Sequence, residues 1–334
     1  MLAPGSMDQH LVLVDNAGTL HLSLEARRAA HPGDLTDEAA CAAELDRWLA
    51  QGSDVARQEL AVYSLRTHHG NLDPIVDVLA ARRPASSFVR IGASSFPDFD
   101  RGNYIPEDRD RDGSSWRLAF SDLGRLIRAL PATRELTVQV SELDASLGAD
   151  APLAAPELRS LVLRCPAPDP SVFAALGRAA LPELESLELW FPGYHYGWGG
   201  TASDLAPLLA NPELPALRRL AIISDVGTPW IDAGGEPLID VLAPSPLLPR
   251  LSVLVLSHGT INDDGAARLR DAWPAFAHLA RLDLTANVIS PALEKSLLAL
   301  GGKAIRSDWQ RASHDELLRC DPPMISLFDG LLDA

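Results

Sequence analysis

One spacing constrains this chain more than any other property. The pattern LxxLxL, with isoleucine once in the last place, occurs five times in succession. It reads Leu158, Leu161, Leu163; Leu184, Leu187, Leu189; Leu217, Leu220, Ile222; Leu251, Leu254, Leu256; and Leu279, Leu282, Leu284. The central leucines are 26, 33, 34 and 28 residues apart, a period that marks chains built from stacked supersecondary units. Weaker copies extend upstream through Leu136 with Val138, Val89 with Ile91, and Leu60 with Val62, giving about eight units in all. The last unit is the most complete, because Asn287 and Ile289 extend it to LxxLxLxxNxI.

Successive side chains of a strand point to opposite sides, so each LxL segment predicts a short strand with its leucines turned inward. Between the strands lie stretches of helical spacing over 204–210, 236–242, 263–272 and 290–300. Several open with good N-caps: Ser203 or Asp204, Asn262 or Asp263, and Ser290 followed by Pro291 and Glu294. A strand, turn and helix cannot bury their apolar face alone, so neighbouring units must stack. The fold class that follows is an α/β solenoid, curved, with parallel strands on the concave face and helices on the convex face. Its crossovers are expected to be right-handed. Eight strands at about 4.8 Å spacing make an inner wall on the order of 35 Å long, a protein-sized rather than metabolite-sized surface.

This reading decides what length leaves open. A chain of 334 residues exceeds the usual globular unit and implies two packed domains or one elongated stack. Terminal units of a stack would expose core leucines and need covers. Residues 1–57 are expected to form an N-terminal cap. Strands over 11–14 and 20–24 would flank the turn-rich Asp15, Asn16, Ala17 and Gly18, and an amphipathic helix would follow over 38–49. Residues 1–60 carry 4 Lys plus Arg against 10 Asp plus Glu, as a solvated polar cap would. The repeats occupy 58–306, with Ala304 and Ile305 in a last edge strand. Residues 307–334, including Trp309, form a C-terminal capping tail.

Composition narrows the function classes. Apolar residues make up 47% and charged ones 22%, the balance of a chain that folds and buries a core. A formal charge of −16 argues against nucleic acid, which needs a clustered basic face. Cys41, Cys165 and Cys320 are three and far apart, which fits reduced thiols rather than a disulfide framework or a zinc clip. The sequence has no signal-like leader and no apolar run near the roughly 18 residues of a membrane span. A cytoplasmic protein is expected.

The residues of the repeats resemble the leucine-rich-repeat superfamily, closer to its helix-containing, ribonuclease-inhibitor-like subtype than to short extracellular repeats. More narrowly, the chain resembles a bacterial family of uncharacterised leucine-rich-repeat proteins. The segments that carry the likeness are Leu187-Glu188-Leu189-Trp190, the loop Tyr196-Gly197-Trp198-Gly199-Gly200, Asp204 to Leu209, and Leu254 to Gly265. It covers roughly residues 55–306. The superfamily resemblance implies binding, usually of proteins; the narrower family supplies no activity to carry over. The chain departs from the pattern where many repeats place a backbone-bonding asparagine. Asn287 holds that place in the last unit, but Pro166, Pro192, Asp225 and Gly259 stand there in earlier ones, which leaves regular curvature open.

Positions between the inward leucines face the inner wall. They are Ser160, Val162, Arg164; Ser186, Glu188, Trp190; Arg219, Ala221, Ile223; Val253, Val255, Ser257; and Arg281, Asp283, Thr285. Trp190, Ile223, Val253 and Val255 are expected as an exposed apolar stretch beside Glu188 and rimmed by Arg219, Arg281 and Asp283, which is what a protein interface offers. The competing reading tucks Trp190 under the loop that follows it. That loop, 192–200, sets Tyr194, His195, Tyr196 and Trp198 among four glycines. Glycines allow bends and aromatics supply rigid contact area, so it reads either as a binding loop at the rim or as aromatics packed down on Trp190.

Other candidates carry less. Asp108, Asp110, Asp112 and Gly113 open like a calcium loop, but the twelfth position is Ala119, the eighth is Ser115, and Arg109 and Arg111 oppose the charge. A solvated insertion is the better reading, and no metal or cofactor is expected. His68 and His69 are adjacent and would diverge in a strand. GxSxG, HExxH, Walker and GxGxxG motifs do not occur. Only 14 residues follow Cys320, and the roughly 30 beyond the last repeat are too few for a catalytic domain of the kind that follows repeats in some bacterial ubiquitin ligases.

The expected function is a non-catalytic module that binds a protein partner through its concave face and aromatic loop, in the manner of an inhibitor or immunity protein. The acidic total favours a partner with a basic patch. The alternative is an accessory subunit that presents a peptide or protein substrate to a separately encoded enzyme.

Overall fold

The two inward positions of each LxL segment become two continuous rungs across one sheet. The computed structural model describes residues 12–14, 20–23, 37–50, 59–64, 69–93, 117–140, 142–143, 153–165, 167–190, 201–223, 237–257 and 260–307. Along the chain the elements run β1 (Val12–Val14), β2 (Leu20–Ser23), α1 (Asp37–Ala50), β3 (Glu59–Ser64), β4 (His69–Asn71), α2 (Asp73–Arg82), β5 (Phe88–Ala93), β6 (Arg117–Phe120), α3 (Leu123–Ala129), β7 (Glu135–Gln139) and β8 (Glu142–Leu143). They continue through β9 (Ser160–Arg164), β10 (Ala167–Pro168), α4 (Pro170–Gly177), β11 (Ser186–Trp190), α5 (Ala206–Leu209), β12 (Arg219–Ile223), α6 (Leu238–Leu242), β13 (Val253–Ser257), α7 (Asp263–Asp271), α8 (Trp273–Phe276), β14 (Arg281–Asp283), α9 (Pro291–Gly301) and β15 (Ile305–Arg306).

Eleven strands, β1-β2-β3-β5-β7-β9-β11-β12-β13-β14-β15, form one sheet in chain order. Only β1 and β2 pair antiparallel; the pairs from β2 to β15 are all parallel. The short strands β4, β6, β8 and β10 make a second, parallel sheet.

Register carries the repeat into space. Leu60, Val89, Leu136, Leu161, Leu187, Leu220, Leu254, Leu282 and Ile305 are an unbroken run of cross-strand partners. Ile91, Val138, Leu163, Leu189, Ile222 and Leu256 form a second run two residues on. All are buried, in a single core shared with Ile75, Leu126, Phe173, Leu208, Leu242, Leu269 and Leu297 of the helices. Each buried leucine contributes about 1.5–3 kcal/mol, and because its neighbours belong to adjacent units, no unit holds that energy alone.

The way into each strand is also repeated. Ala155, Leu181, Leu214, Leu248 and Phe276 each accept a hydrogen bond from the amide three residues on, that of Leu158, Leu184, Leu217, Leu251 and Leu279. Proline follows the first four of these acceptors, where its fixed φ favours a tight turn. One carbonyl per unit then accepts two successive amides of the next: Ser87 from Arg134 and Glu135, Arg134 from Arg159 and Ser160, Arg159 from Glu185 and Ser186, Glu185 from Arg218 and Arg219, and Arg218 from Ser252 and Val253.

Buried polar side chains join adjacent units behind the strands. Asn287 donates to the carbonyls of Leu256 and Leu284, the latter at 2.8 Å, and accepts the Ile261 amide at 3.1 Å. The matching work one unit earlier falls to Thr260, whose hydroxyl reaches the carbonyls of Ile222 and Ser257. The asparagine place read from spacing at Gly259 lies outside the described residues; the bonding residue is its neighbour. Asn211 binds the carbonyls of Leu176 and Ala179, and Ser245 binds that of Leu209.

The helices pack in chain order, α1 on α2, α2 on α3, α4 on α5, α6 on α7 and α7 on α9. Arg82 grips Asp46 across the first pair, and Arg268 links Asp264 to Asp240 across α7 and α6. Asn262 caps α7 by accepting the Gly265 amide, as its sequence indicates. The cap expected at Ser203 or Asp204 is instead Thr201, because a 3-10 turn over Ala202–Leu205 precedes α5 and Asp204 reaches back to the Thr201 amide. Ser290 precedes α9 without a side-chain cap bond. The strands expected over 11–14 and 20–24 pair as a hairpin whose second member continues the main sheet.

Candidate binding face

The positions between the core leucines lie on the other face of the sheet, in three register rows. Ser186, Arg219, Val253 and Arg281 form the first. Val162, Glu188, Ala221, Val255, Asp283 and Arg306 form the second. Gln139, Arg164, Trp190, Ile223 and Ser257 form the third. Eight of the residues singled out in the sequence are thus brought onto one surface. Tyr194, His195, Tyr196 and Trp198 lie outside the described residues, as do Asp108 to Gly113, His68 and Cys320.

The surface is not the open apolar stretch expected. Trp190 and Ile223 are buried and form a small cluster with Ala221, against which the half-buried Val255 packs. Val253 also remains partly accessible. This second cluster lies across the sheet from the main core.

Polar chemistry gathers on Glu188. Its Oε1 accepts a hydrogen bond from Trp190 Nε1 at 2.5 Å, possible because residues two apart on a strand share a face. Its Oε2 accepts from Arg219 Nη2 at 3.1 Å. From the other side Arg164 Nη2 stands 3.6 Å from Oε1, with its guanidinium 4.7 Å from the Trp190 ring centroid, a cation–π distance. Gln139 and Ser186 hold the outer ends, accepting from Arg164 at 3.4 Å and Arg219 at 3.2 Å. Four strands contribute to the group: β7, β9, β11 and β12.

A second group forms around Asp283. Arg281 Nη2 donates to Oδ2 at 2.8 Å, Arg306 stands 4.0 Å from the same oxygen, and the Thr285 amide and hydroxyl donate to Oδ1. Burial alone would raise the Asp283 carboxyl, but the Thr285 hydroxyl, the Arg281 guanidinium and the Thr285 amide outweigh it and hold it below the ordinary aspartate range. Both carboxylates are thus engaged with donors and turned into the protein, while the guanidiniums that hold them lie at the surface.

Gln139, Arg164 and Arg306 belong to these groups but were not singled out as binding residues. Their signal was register: Arg164 and Arg306 are the cross-strand neighbours of Trp190 and Asp283, and Gln139 is in turn the neighbour of Arg164. Among the described residues no cluster of His, Cys, Asp and Glu is arranged to hold a metal ion, and no helix is long and apolar enough to cross a membrane.

A scan against protein families finds no match, and a search of curated proteins finds none either. Solved structures do match. A protein of Bacteroides fragilis aligns over 78% of this chain and 68% of its own at 19% identity, with a TM-score of 0.58, a likeness of fold. An internalin of Listeria monocytogenes aligns over 80% of this chain and 74% of its own at 15% identity, with a TM-score of 0.29.

Proposed function

We propose that the chain is a leucine-rich-repeat solenoid of the helix-containing, ribonuclease-inhibitor-like kind that binds a protein partner through the sheet face opposite its core, without catalysis of its own. The observation that carries this reading is the contrast between the two faces in one register. The core rungs are aliphatic throughout, whereas the rows on the other face set the partly accessible Val253 and Val255 among arginines, over a buried Trp190 and buried carboxylates. Arginine side chains over a partly apolar ground are a composition common at protein interfaces. Engagement of both carboxylates with arginines supports a non-catalytic role, since neither is presented to a ligand. The expected caps at 1–57 and 307–334 complete the reading, closing the ends of the stack.

The test is site-directed photocrosslinking in cells of the source organism. A benzophenone amino acid at Val162 or Val255 should yield an adduct with another protein, and one at Leu300, exposed on α9, should not. Adducts from Leu300 alone would overturn the assignment of the binding face.

A further inference from the structure

Among the described residues of β9 to β15, short of the exposed Glu135 on β7, the accessible charge of this face is opposite in sign to that of the whole chain. From β9 to β15 its register rows carry six ionisable residues: Arg164, Arg219, Arg281, Arg306, Glu188 and Asp283. The side chains of Glu188 and Asp283 are only 4% and 10% exposed, whereas those of Arg164, Arg219, Arg281 and Arg306 are 28%, 20%, 26% and 36% exposed. An approaching partner therefore meets guanidiniums, on a chain of formal charge −16. Total charge, which pointed to a basic partner, misreads this face because the acids on it lie beneath the arginines.

These arginines are also prepared for a ligand. Arg164 is stacked on Trp190, and both Arg164 and Arg219 are anchored through Glu188, so little side-chain freedom remains to be lost on binding. The Nε atoms of Arg164 and Arg281 are buried without a hydrogen-bond partner. These buried Nε groups lie out of reach of a ligand arriving from solvent, so a carboxylate is met by the outer Nη groups, with the anchoring contacts to Glu188 and Asp283 kept. Arg219 and Arg281 share a register row with Val253 between them, their backbones two strands and hence about 10 Å apart, with the Arg219 guanidinium drawn further off toward Ser186 and Glu188 of β11.

We propose, building on the binding role above, that this face takes an acidic protein segment, with one carboxylate at Arg219, another at Arg281 and an aliphatic side chain between them over Val253. Nucleic acid is the competing polyanion. The strip offers four arginines on a strongly acidic chain, which repels an extended phosphate backbone, with its many charges, more than a short acidic segment with few.

The test uses the full chain and a phage-displayed library of random 12-residue peptides. Enriched peptides should be net acidic, and fluorescence anisotropy should show their affinity falling at least tenfold between 50 and 300 mM NaCl. Arg219→Gln with Glu188→Gln, and Arg281→Gln with Asp283→Asn, remove a guanidinium together with its buried counter-charge, so the variants keep their fold; each should weaken the peptides at least fivefold. Basic or neutral peptides, no enriched peptide, affinities unmoved by both variants, or tighter binding of a 20-residue oligothymidylate would overturn the proposal. Crosslinking through Val162 and Val255 to a basic partner would overturn it too, while leaving the binding role intact.

Discussion

Asn287→Ala tests whether adjacent units are joined by buried polar bonds as well as by leucines. The carboxamide is fully buried, donates to two strand carbonyls and accepts one amide. Alanine leaves all three partners without it in a site where each unsatisfied buried group costs about 1–3 kcal/mol. Relaxation and an entering water recover part of that, so a loss of about 3–5 kcal/mol is expected by urea denaturation. Because the site lies between β13 and β14, hydrogen exchange should quicken at the Ile261 amide and across the last units, leaving β3 to β9 protected. Should those units detach first, the denaturant slope of the main transition falls, since less surface is exposed in it. Asn287→Asp gives a second handle. Its carboxylate would face two carbonyl oxygens, so burial and repulsion raise its folded pKa above the unfolded value. A raised pKa means stability falls as pH rises, so this variant should be weaker at pH 7 than at pH 4.5 relative to wild type. A loss below 1 kcal/mol for Asn287→Ala, with unchanged exchange at Ile261, refutes the reasoning.

Three further outcomes follow from single contacts. Gly92 has φ of 130°, and a Cβ there would lie 1.8 Å from the Gln139 carbonyl oxygen; Gly92→Ala should therefore separate β5 from β7 and cost more than about 3 kcal/mol, seen as a lowered Tm. Leu220→Ala, at a fully buried rung between β11 and β13, should cost about 2–5 kcal/mol, and a loss under 1 kcal/mol would mean that the rung is not a shared core. The depressed Asp283 carboxyl contributes stability above the unfolded aspartate pKa of about 3.9, lost as pH falls through the lower folded value. The gap in stability between wild type and Asp283→Asn should accordingly be widest near neutrality and close in acid; a gap constant with pH contradicts the assignment.

The strands were the most legible part of the sequence, because a two-residue alternation around leucine survives in any unit whatever its length. All eight expected strands occur, together with the hairpin and the last edge strand. The helices α2, α3 and α4 went unread, although Asp169-Pro170 opens α4 with the Asp169 carboxylate accepting the Ser171 amide. They run 10, 7 and 8 residues, against 4, 5 and 9 for α5, α6 and α7, which were read, so length is not what hid them. The recurrent proline after Ala155, Leu181, Leu214 and Leu248 was a readable turn signal that the leucines overshadowed. The second sheet could not be read, since two to four residues per strand carry no period. On the candidate face, composition was visible and burial was not: an alternating strand says which side Glu188 faces, but not that Trp190 and two arginines from other strands close over it.

The buried acids bear on why the two faces obey different rules. A core rung is filled from both neighbouring units, so aliphatic volume is the only solution each can share. Positions on the other face are held by their own cross-strand neighbours, and there the row through Val162 changes to Glu188, Ala221, Val255 and Asp283. Stability gives no reason for the change, because a buried ion pair replaced by packed apolar side chains is often neutral or stabilising, and Ala221, Ile223 and Val255 already pack that way beside it. What the carboxylates do provide is direction. Glu188 fixes Arg164 and Arg219 from strands on either side of it, and Asp283 fixes Arg281 and Arg306. A carboxylate placed under pairs of arginines takes up little accessible surface of its own and holds each guanidinium in place, an order that the proposed interface would use and that a scaffold alone does not need.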